Sequence, residues 1–483
     1  MAQYQYHKMM RKFFIYIVIL LLSCPVIEAQ STNYYKLYDT GAQDMARIFI
    51  RSCDNGFIIG GVSDVFDASW DAYIIKLDSN GNKLWNWNVG FGGASDGPVS
   101  IMETPDSNIV VFMYSTAANV KFRMAVFDYD GNLVFEKHDY YISGGFPEFV
   151  IQGALLLPDS RIVTPVVIND SILKVYWWNQ TGDTLASLVL DTCRKFPGGY
   201  SGEIQHVDCF SENDTIIFCY NNYIADNAPS RVTLKTDYNG NFIEKKELYI
   251  IDVDDLSRAI RGNSNTYLFL DYSISSYCIN TCLYDEINNS VITWINFLSP
   301  LYDDITDLGA DFISEDTVLF CGSISNYGSM DRYAHILKID TTSNVEWIQI
   351  YIPSGYNVSR LWSVKQYEDC IASVGEAYSY NASGPYDILF IKADLNGNAT
   401  TISTFEKPDN KITVFPNPAS DLINVNLLPV GESMYTIVDA GGREVLKGKT
   451  QSNQLHISSL PAGTYQLLWE NDGKMYHAGF VKE

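Results

Sequence analysis

Basic residues are scarce in this chain. There are 33 Lys and Arg against 57 Asp and Glu, a formal net charge of −24, so a phosphate backbone or an anionic lipid surface would be repelled and nucleic acid drops out as a partner. Long apolar runs are scarce too. The stretch Phe13 to Leu22 is only half of the roughly 20 residues that a membrane-spanning helix needs, which leaves no predicted span in the mature chain. After it, no segment repeats its apolar residues with a long helical period, which removes the helical fold classes. Catalytic signatures are missing as well: there is no HExxH, no G-x-S-x-G, no Walker loop and no Cys-x-x-Cys. Gly199-Tyr200-Ser201-Gly202-Glu203 fails the nucleophile pattern at its last position. Between residues 31 and 405 the histidines are His138, His206 and His335, and His206-Val207-Asp208-Cys209 has no second ligand cluster to complete a metal site. No catalytic, cofactor-binding or metal-ligating residue is therefore assigned, and no cofactor is expected.

What is abundant is apolar and aromatic. Hydrophobic residues make up 47% of the 483 residues, with 33 Tyr, 24 Phe and 9 Trp, enough to bury a large core. The length exceeds the roughly 100 to 200 residues of one compact domain. Residues 1–29 read as a signal peptide: Lys8, Arg11 and Lys12 precede the apolar stretch, and Ile27-Glu28-Ala29 forms a small-residue cleavage site before Gln30. Leu21-Leu22-Ser23-Cys24 faintly resembles a lipoprotein box, but Pro25 follows it. Eight cysteines remain after cleavage, too few for a dense disulfide framework; a local Cys278–Cys282 bridge and isolated buried thiols both fit.

A unit of about fifty residues recurs seven times. Its clearest part is an apolar run, a polar turn and a second apolar run, as in AYIIKLDSNGNKLWNW from Ala72 and FRMAVFDYDGNLVFEK from Phe122. Aligning Gly81, Gly131, Gly182, Gly240, Asn289, Ser343 and Gly397 gives spacings of 50, 51, 58, 49, 54 and 54 residues. About 25 residues before each lies a second polar tip, such as DNGFIIGG at Asp54 and PDSNIVVF at Pro105. Two hairpins per unit make four strands, and Gly at the tip supplies the positive φ that a tight hairpin demands. Four-stranded units of this length, repeated, build a β-propeller. Residues 31–405 are thus expected to form seven blades in an all-β chain, with the Tyr34-Tyr35-Lys36-Leu37-Tyr38 run completing the last blade and the run near Thr400 left over. Asp78, Asp128, Asp237 and Asp394 open Asp-x-Asn/Asp-Gly-Asn turns at Gly81, Gly131, Gly240 and Gly397. These lack the further ligands and bidentate Glu of a calcium loop, so the carboxylates are expected to bond amides of their own turns.

The units resemble the propeller repeats of exported bacterial proteins, best at Asp54 to Gly61 and Lys76 to Trp85. A quinone-enzyme blade motif is similar, with Trp85 in the place of its closing Trp, but the turn is one residue shorter and implies no quinone. After the polar linker 406–410 the periodicity stops. Residues 411–483 carry Val414-Phe415-Pro416-Asn417-Pro418-Ala419, Gly441-Gly442-Arg443-Glu444-Val445, Leu460-Pro461-Ala462-Gly463-Thr464-Tyr465 and a closing Phe480-Val481-Lys482. These resemble the type A C-terminal sorting domain of type IX secretion. The resemblance implies a small Ig-like β-sandwich, a Gram-negative source, passage through the periplasm, sorting-machinery partners, and a destination in the medium or on the outer cell surface. Pro416, Asn417, Pro418, Gly442, Gly463, Tyr465 and Lys482 carry it.

Two functions remain for the repeat domain. The first is a binding or adhesion scaffold for a glycan, polymer or protein, since a repeat scaffold without a catalytic constellation suits display. The second is a polysaccharide hydrolase or lyase with its site at the propeller mouth. Acidic pairs such as Asp254-Asp255 and Asp303-Asp304 would serve glycoside chemistry, though solvated loop charge explains them more simply. Trp177, Trp178, Tyr200 and Tyr223 either stack on sugars or wedge between blades, the latter being the simpler reading.

Overall fold

A computed structural model of the chain describes residues 33–65, 69–89, 94–115, 120–140, 154–168, 171–193, 203–223, 230–249, 256–262, 266–271, 279–285, 287–288, 290–297, 304–325, 330–379, 386–401, 412, 414–425, 433–439, 443–471 and 474–483. Every regular element among them is a β-strand. The signal-peptide and linker readings fall outside the described residues.

Each hairpin begins in its turn chemistry. In the turn after Leu77, the Asp78 carboxylate accepts the amides of Asn80 and Asn82, both at 2.8 Å, while Gly81 sits at φ 73°. Asp128, Asp237, Asp340 and Asp394 accept an amide four residues on in the same way. Asn179 plays that role in the third unit, where Gly182 has φ 75°. Ser343 takes φ 70° where its sister turns have glycine. The earlier tips use Asn55, Ser107 and Ser160, also at positive φ.

The flanking segments pair into seven antiparallel sheets in chain order. The first runs Asp44–Arg51, Phe57–Ser63, Asp71–Leu77 and Lys83–Val89. Its two middle strands are buried at every position, as apolar runs without alternation foretell. The outermost strand of the third sheet, Thr184–Thr192, is mostly exposed. Apolar clusters between sheets supply the core: Met102, Val110, Phe112, Met124 and Val126 of the second sheet pack with Ile162, Val166 and Trp178 of the third. Trp177 is buried and donates to the Tyr238 carbonyl of the fourth sheet at 3.0 Å. These tryptophans are wedges between sheets. Tyr200 lies outside the described residues, as does the side chain of Tyr223.

The turn glycines pack as well as turn. A Cβ on Gly131 would meet the Trp85 ring of the preceding sheet at 2.5 Å, and one on Gly240 would meet Trp177 at 2.7 Å. Trp85 also donates to the Tyr129 carbonyl at 3.1 Å, so these two turns dock on their neighbours through a glycine whose place leaves no room for a side chain.

The chain's first described strand closes the series. Tyr34–Tyr38 pairs antiparallel with Asp387–Ala393, Tyr34 opposite Lys392. It completes the seventh sheet with Val358–Gln366 and Ile371–Tyr378. Thr400–Thr401 adds a short parallel fifth strand outside it. Tyr34 and Tyr38 share one core with Phe49, Phe57 and Ile75 of the first sheet. Lys36 reaches the Asn80 and Gly81 carbonyls there at 3.1 Å.

The remaining strands form two further sheets, of three and four strands. They enclose one core that includes Val414, Ile423, Ile437, Tyr465, Leu467, Trp469 and Phe480.

Candidate functional site

Each innermost strand whose register is described over its full length carries the same irregularity. In the first sheet Ala46 faces Gly61 and Ile48 faces Gly60, so Arg47 is skipped. Val99, Ser257, Leu308 and Trp362 are skipped in the second, fifth, sixth and seventh sheets, and one of His206 and Val207 in the fourth. A bulge of this kind frees its extra residue from the ladder and re-aims it. Glycine makes two of them fit: a Cβ on Gly61 would press into the Met45 carbonyl and one on Gly375 into that of Arg360.

At the seam between the seventh and first sheets the two re-aimed residues meet. The exposed Arg47 guanidinium stacks 4.4 Å from the ring centre of Trp362, an arrangement worth about 0.5–1 kcal/mol at the surface. Trp362 donates its Nε1 to Glu376 Oε2 at 2.9 Å. Arg360 lies 3.3 Å from the other oxygen of Glu376 and donates to the Tyr378 hydroxyl at 3.0 Å. Tyr378 packs on Tyr386 with ring centres 4.2 Å apart. Glu376 is only 2% exposed, and burial raises its carboxyl above the ordinary range despite the Trp362 bond and the nearby arginines. The group therefore offers two arginines, the half-buried rings of Trp362 and Tyr386 backed by the buried Tyr378, and one restrained carboxyl, suited to a sugar ring bearing an anionic substituent.

Beside it the Asp44 amide donates to the Tyr386 carbonyl at 2.6 Å. This sets the buried Asp44 carboxylate next to Asp387 and the half-buried Asp39, one ligand atom of each lying within 4.8 Å of the others. Burial pushes Asp44 up to about 7 although Ser63 and Thr40 bond it. It pushes Asp387 up to about 7 as well, against the Tyr356 hydroxyl that donates to its Oδ2 and with the Asp39 charge adding to the rise. The same backbone contact recurs between the first and second sheets, where the Asp96 amide donates to Trp70 at 2.6 Å.

None of these seam residues was singled out from the sequence. The signal was present: Asp begins the first strand of units one and two at Asp44 and Asp96, and the third strand of units one and seven at Asp71 and Asp387. Of the histidines, His335 is fully buried, while the side chains of His138 and His206 lie outside the described residues, as do those of Asp254, Asp255, Asp303 and Asp304. Cys209, Cys219, Cys282, Cys321 and Cys370 are buried thiols, and burial raises that of Cys282 to about 12. Cys278 falls outside the described residues.

At the other end of the chain, Ala419 donates to the Val481 carbonyl at 2.9 Å and Val481 to Asn417 Oδ1 at 2.8 Å. The Pro416-Asn417-Pro418 segment is thereby tied to the last strand beside Lys482. Gly463 opens the strand Gly463–Asn471, and Tyr465 donates to the Pro461 carbonyl at 2.8 Å; Gly442 lies outside the described residues. Residues 413–483 match the secretion system C-terminal sorting domain. A sorting domain of this kind sends its cargo to the cell surface or the medium through the type IX machinery, which is its partner.

The cargo ahead of the sorting domain is similar in fold to solved propellers. A polysaccharide lyase of the PL25 ulvan lyase family is 8% identical, with 74% of this chain and 96% of that chain covered and a TM-score of 0.52. The Dos1 propeller is 12% identical over 78% of this chain and 99% of that one, with a TM-score of 0.45. A protein of unknown function from Dyadobacter fermentans is 9% identical over 75% and 97%, at 0.44. No curated protein matches the chain in sequence. At these identities the likeness concerns fold alone.

Proposed function

We propose that residues 31–405 form a seven-bladed propeller that binds an acidic polysaccharide at the cell surface or in the medium. It is delivered there by a signal peptide at residues 1–29 and by an Ig-like sorting sandwich at 411–483, joined through the linker 406–410. The observation that carries this reading is the seam group, in which the exposed Arg47 lies on Trp362 while Arg360, Tyr378 and Tyr386 stand alongside. A planar guanidinium on an aromatic face presents donors to a carboxylate or sulfate while the ring offers a stacking surface to the sugar. The chain's charge of −24 works against an anionic ligand at long range, so binding is local, through these contacts. The test is calorimetric titration of the mature protein with sulfated and carboxylated polysaccharides. Binding lost in both Trp362→Ala and Arg47→Ala, with melting unchanged, supports the reading; no binding across the panel overturns it.

A second reading, a polysaccharide lyase, draws on Glu376. Its raised carboxyl sits beside two arginines, the combination that abstraction of a proton next to a sugar carboxylate would use. Release of unsaturated product, abolished in Glu376→Gln, would favour it over simple binding. The ulvan lyase likeness lends it no more than a shared fold.

A further inference from the structure

We propose that Asp39, Asp44 and Asp387 hold one calcium ion at the seam where the first described strand closes the ring. Three carboxylates offer ligand atoms within 4.8 Å of one another. Calcium readily takes several carboxylate ligands, whereas magnesium keeps several of its waters and is held by one or two carboxylates. Three carboxylates gathered at one point therefore suit calcium, and their donors are the hard oxygens that it takes.

A second observation points to an ion. Asp387 is 4% exposed, its Oδ2 takes the Tyr356 hydroxyl, and its Oδ1 is buried with no hydrogen-bond donor. A buried carboxylate oxygen left without a donor is costly, and a cation is the partner that would satisfy it together with the adjoining charges. The other two carboxylates are held ready. Asp44 is oriented by the Thr40 amide at 2.8 Å and the Thr40 hydroxyl at 2.9 Å. Asp39 is oriented by the Gly41 amide at 2.5 Å.

The neighbouring junction shows what the position looks like without the acids. Between the sixth and seventh sheets Ser359 stands where Asp44 stands, and its hydroxyl takes the Ala334 amide at 2.8 Å while its own amide donates to Arg332 at 2.8 Å. That junction is satisfied by neutral groups. At the seam, Asp39 follows the closing strand directly, Asp387 begins the strand it pairs with, and Asp44 begins the first sheet. One ion there would bind the two ends of the ring to each other.

The test is calorimetry and thermal melting of the mature full-length protein, stripped with a chelator and titrated with CaCl2 or MgCl2. The expected result is one calcium per chain with Kd on the order of 10⁻⁴ M, as in extracellular modules, and a melting temperature higher by a few degrees in calcium than in magnesium. Asp39→Asn, on a half-buried connection, should fold normally and lose both the heat and the shift. Asp387→Asn should also lose them. Absence of calcium heat and shift in the native chain overturns the proposal, as does a shift of equal size in Asp39→Asn or with magnesium. This outcome is independent of polysaccharide binding, which is measured with Asp39 intact and at a separate group of side chains.

Discussion

Gly131 and Gly355 share a backbone conformation, φ 84° and 90°, but not a neighbourhood. A Cβ on Gly131 meets the Trp85 ring at 2.5 Å, whereas one on Gly355 meets nothing within 4 Å. Alanine at Gly355 should therefore cost only the left-handed penalty of about 1–2 kcal/mol, and alanine at Gly131 that penalty plus about 1–3 kcal/mol of overpacking. Urea unfolding of the two variants measures the difference, and equal losses would show that the ring contact is not tight. Asp311 gives a pH dependence at the same scale. Burial raises its carboxyl to about 6, with the Gln366 amide at 2.9 Å opposing the rise. The folded value lies above the unfolded one of about 3.9, so the folded state binds the proton more tightly. Its contribution is complete below about pH 4 and is lost as pH rises through 6. Asp311→Asn keeps an oxygen for Gln366 and carries no charge. It should match the native protein near pH 4 and exceed it by roughly 2–3 kcal/mol near pH 8, which denaturant midpoints at both pH values would reveal.

At the scale of strands, the closing segment Tyr34–Tyr38 matters out of proportion to its five residues. It covers the edge of Asp387–Ala393, buries Tyr34 and Tyr38 against the first sheet, and places Lys36 and the Tyr38 hydroxyl on the turn at Gly81, the latter at 2.8 Å. Deleting residues up to Tyr38 should expose a long unpaired edge, lower the melting temperature sharply and promote association, read by scanning calorimetry and light scattering. Thr400→Pro should do far less, because Thr400–Thr401 adds only two residues of pairing. This closure was legible in the sequence, as were the hairpin tips, because a positive φ favours Gly or Asn and so writes itself into residue type. The seam site was not. Arg47 meets Trp362, and Asp44 meets Asp387, across more than 300 residues, and the bulges that re-aim Arg47 and Trp362 leave no mark of their own in the residues they skip. The recurring Asp at strand starts was the one trace, and it reads as ordinary solvated charge until the strands are placed side by side.

For the whole molecule, the consequence lies in transport. The sorting domain's two sheets enclose a core of their own, from Ile412 to Phe480, and the described polar contacts that order its Pro416-Asn417-Pro418 segment come from its own last strand. Those hydrogen bonds lie within the sorting domain, so the address should be portable. Residues 411–483 fused behind a signal peptide and an unrelated stable reporter should bring the reporter to the surface or medium of a cell with a working type IX system and leave it in the periplasm of a secretion mutant. The native chain truncated after residue 405 should behave as the mirror image, folded but retained, with fractionation and immunoblotting as the readout. Asn417→Ala removes the side-chain oxygen that accepts the Val481 amide, at about 1 kcal/mol of local stability. If export falls with that loss in proportion to the unfolding of the tail, the machinery reads the folded domain; if export is unchanged while the tail loosens, it reads the linear motif instead.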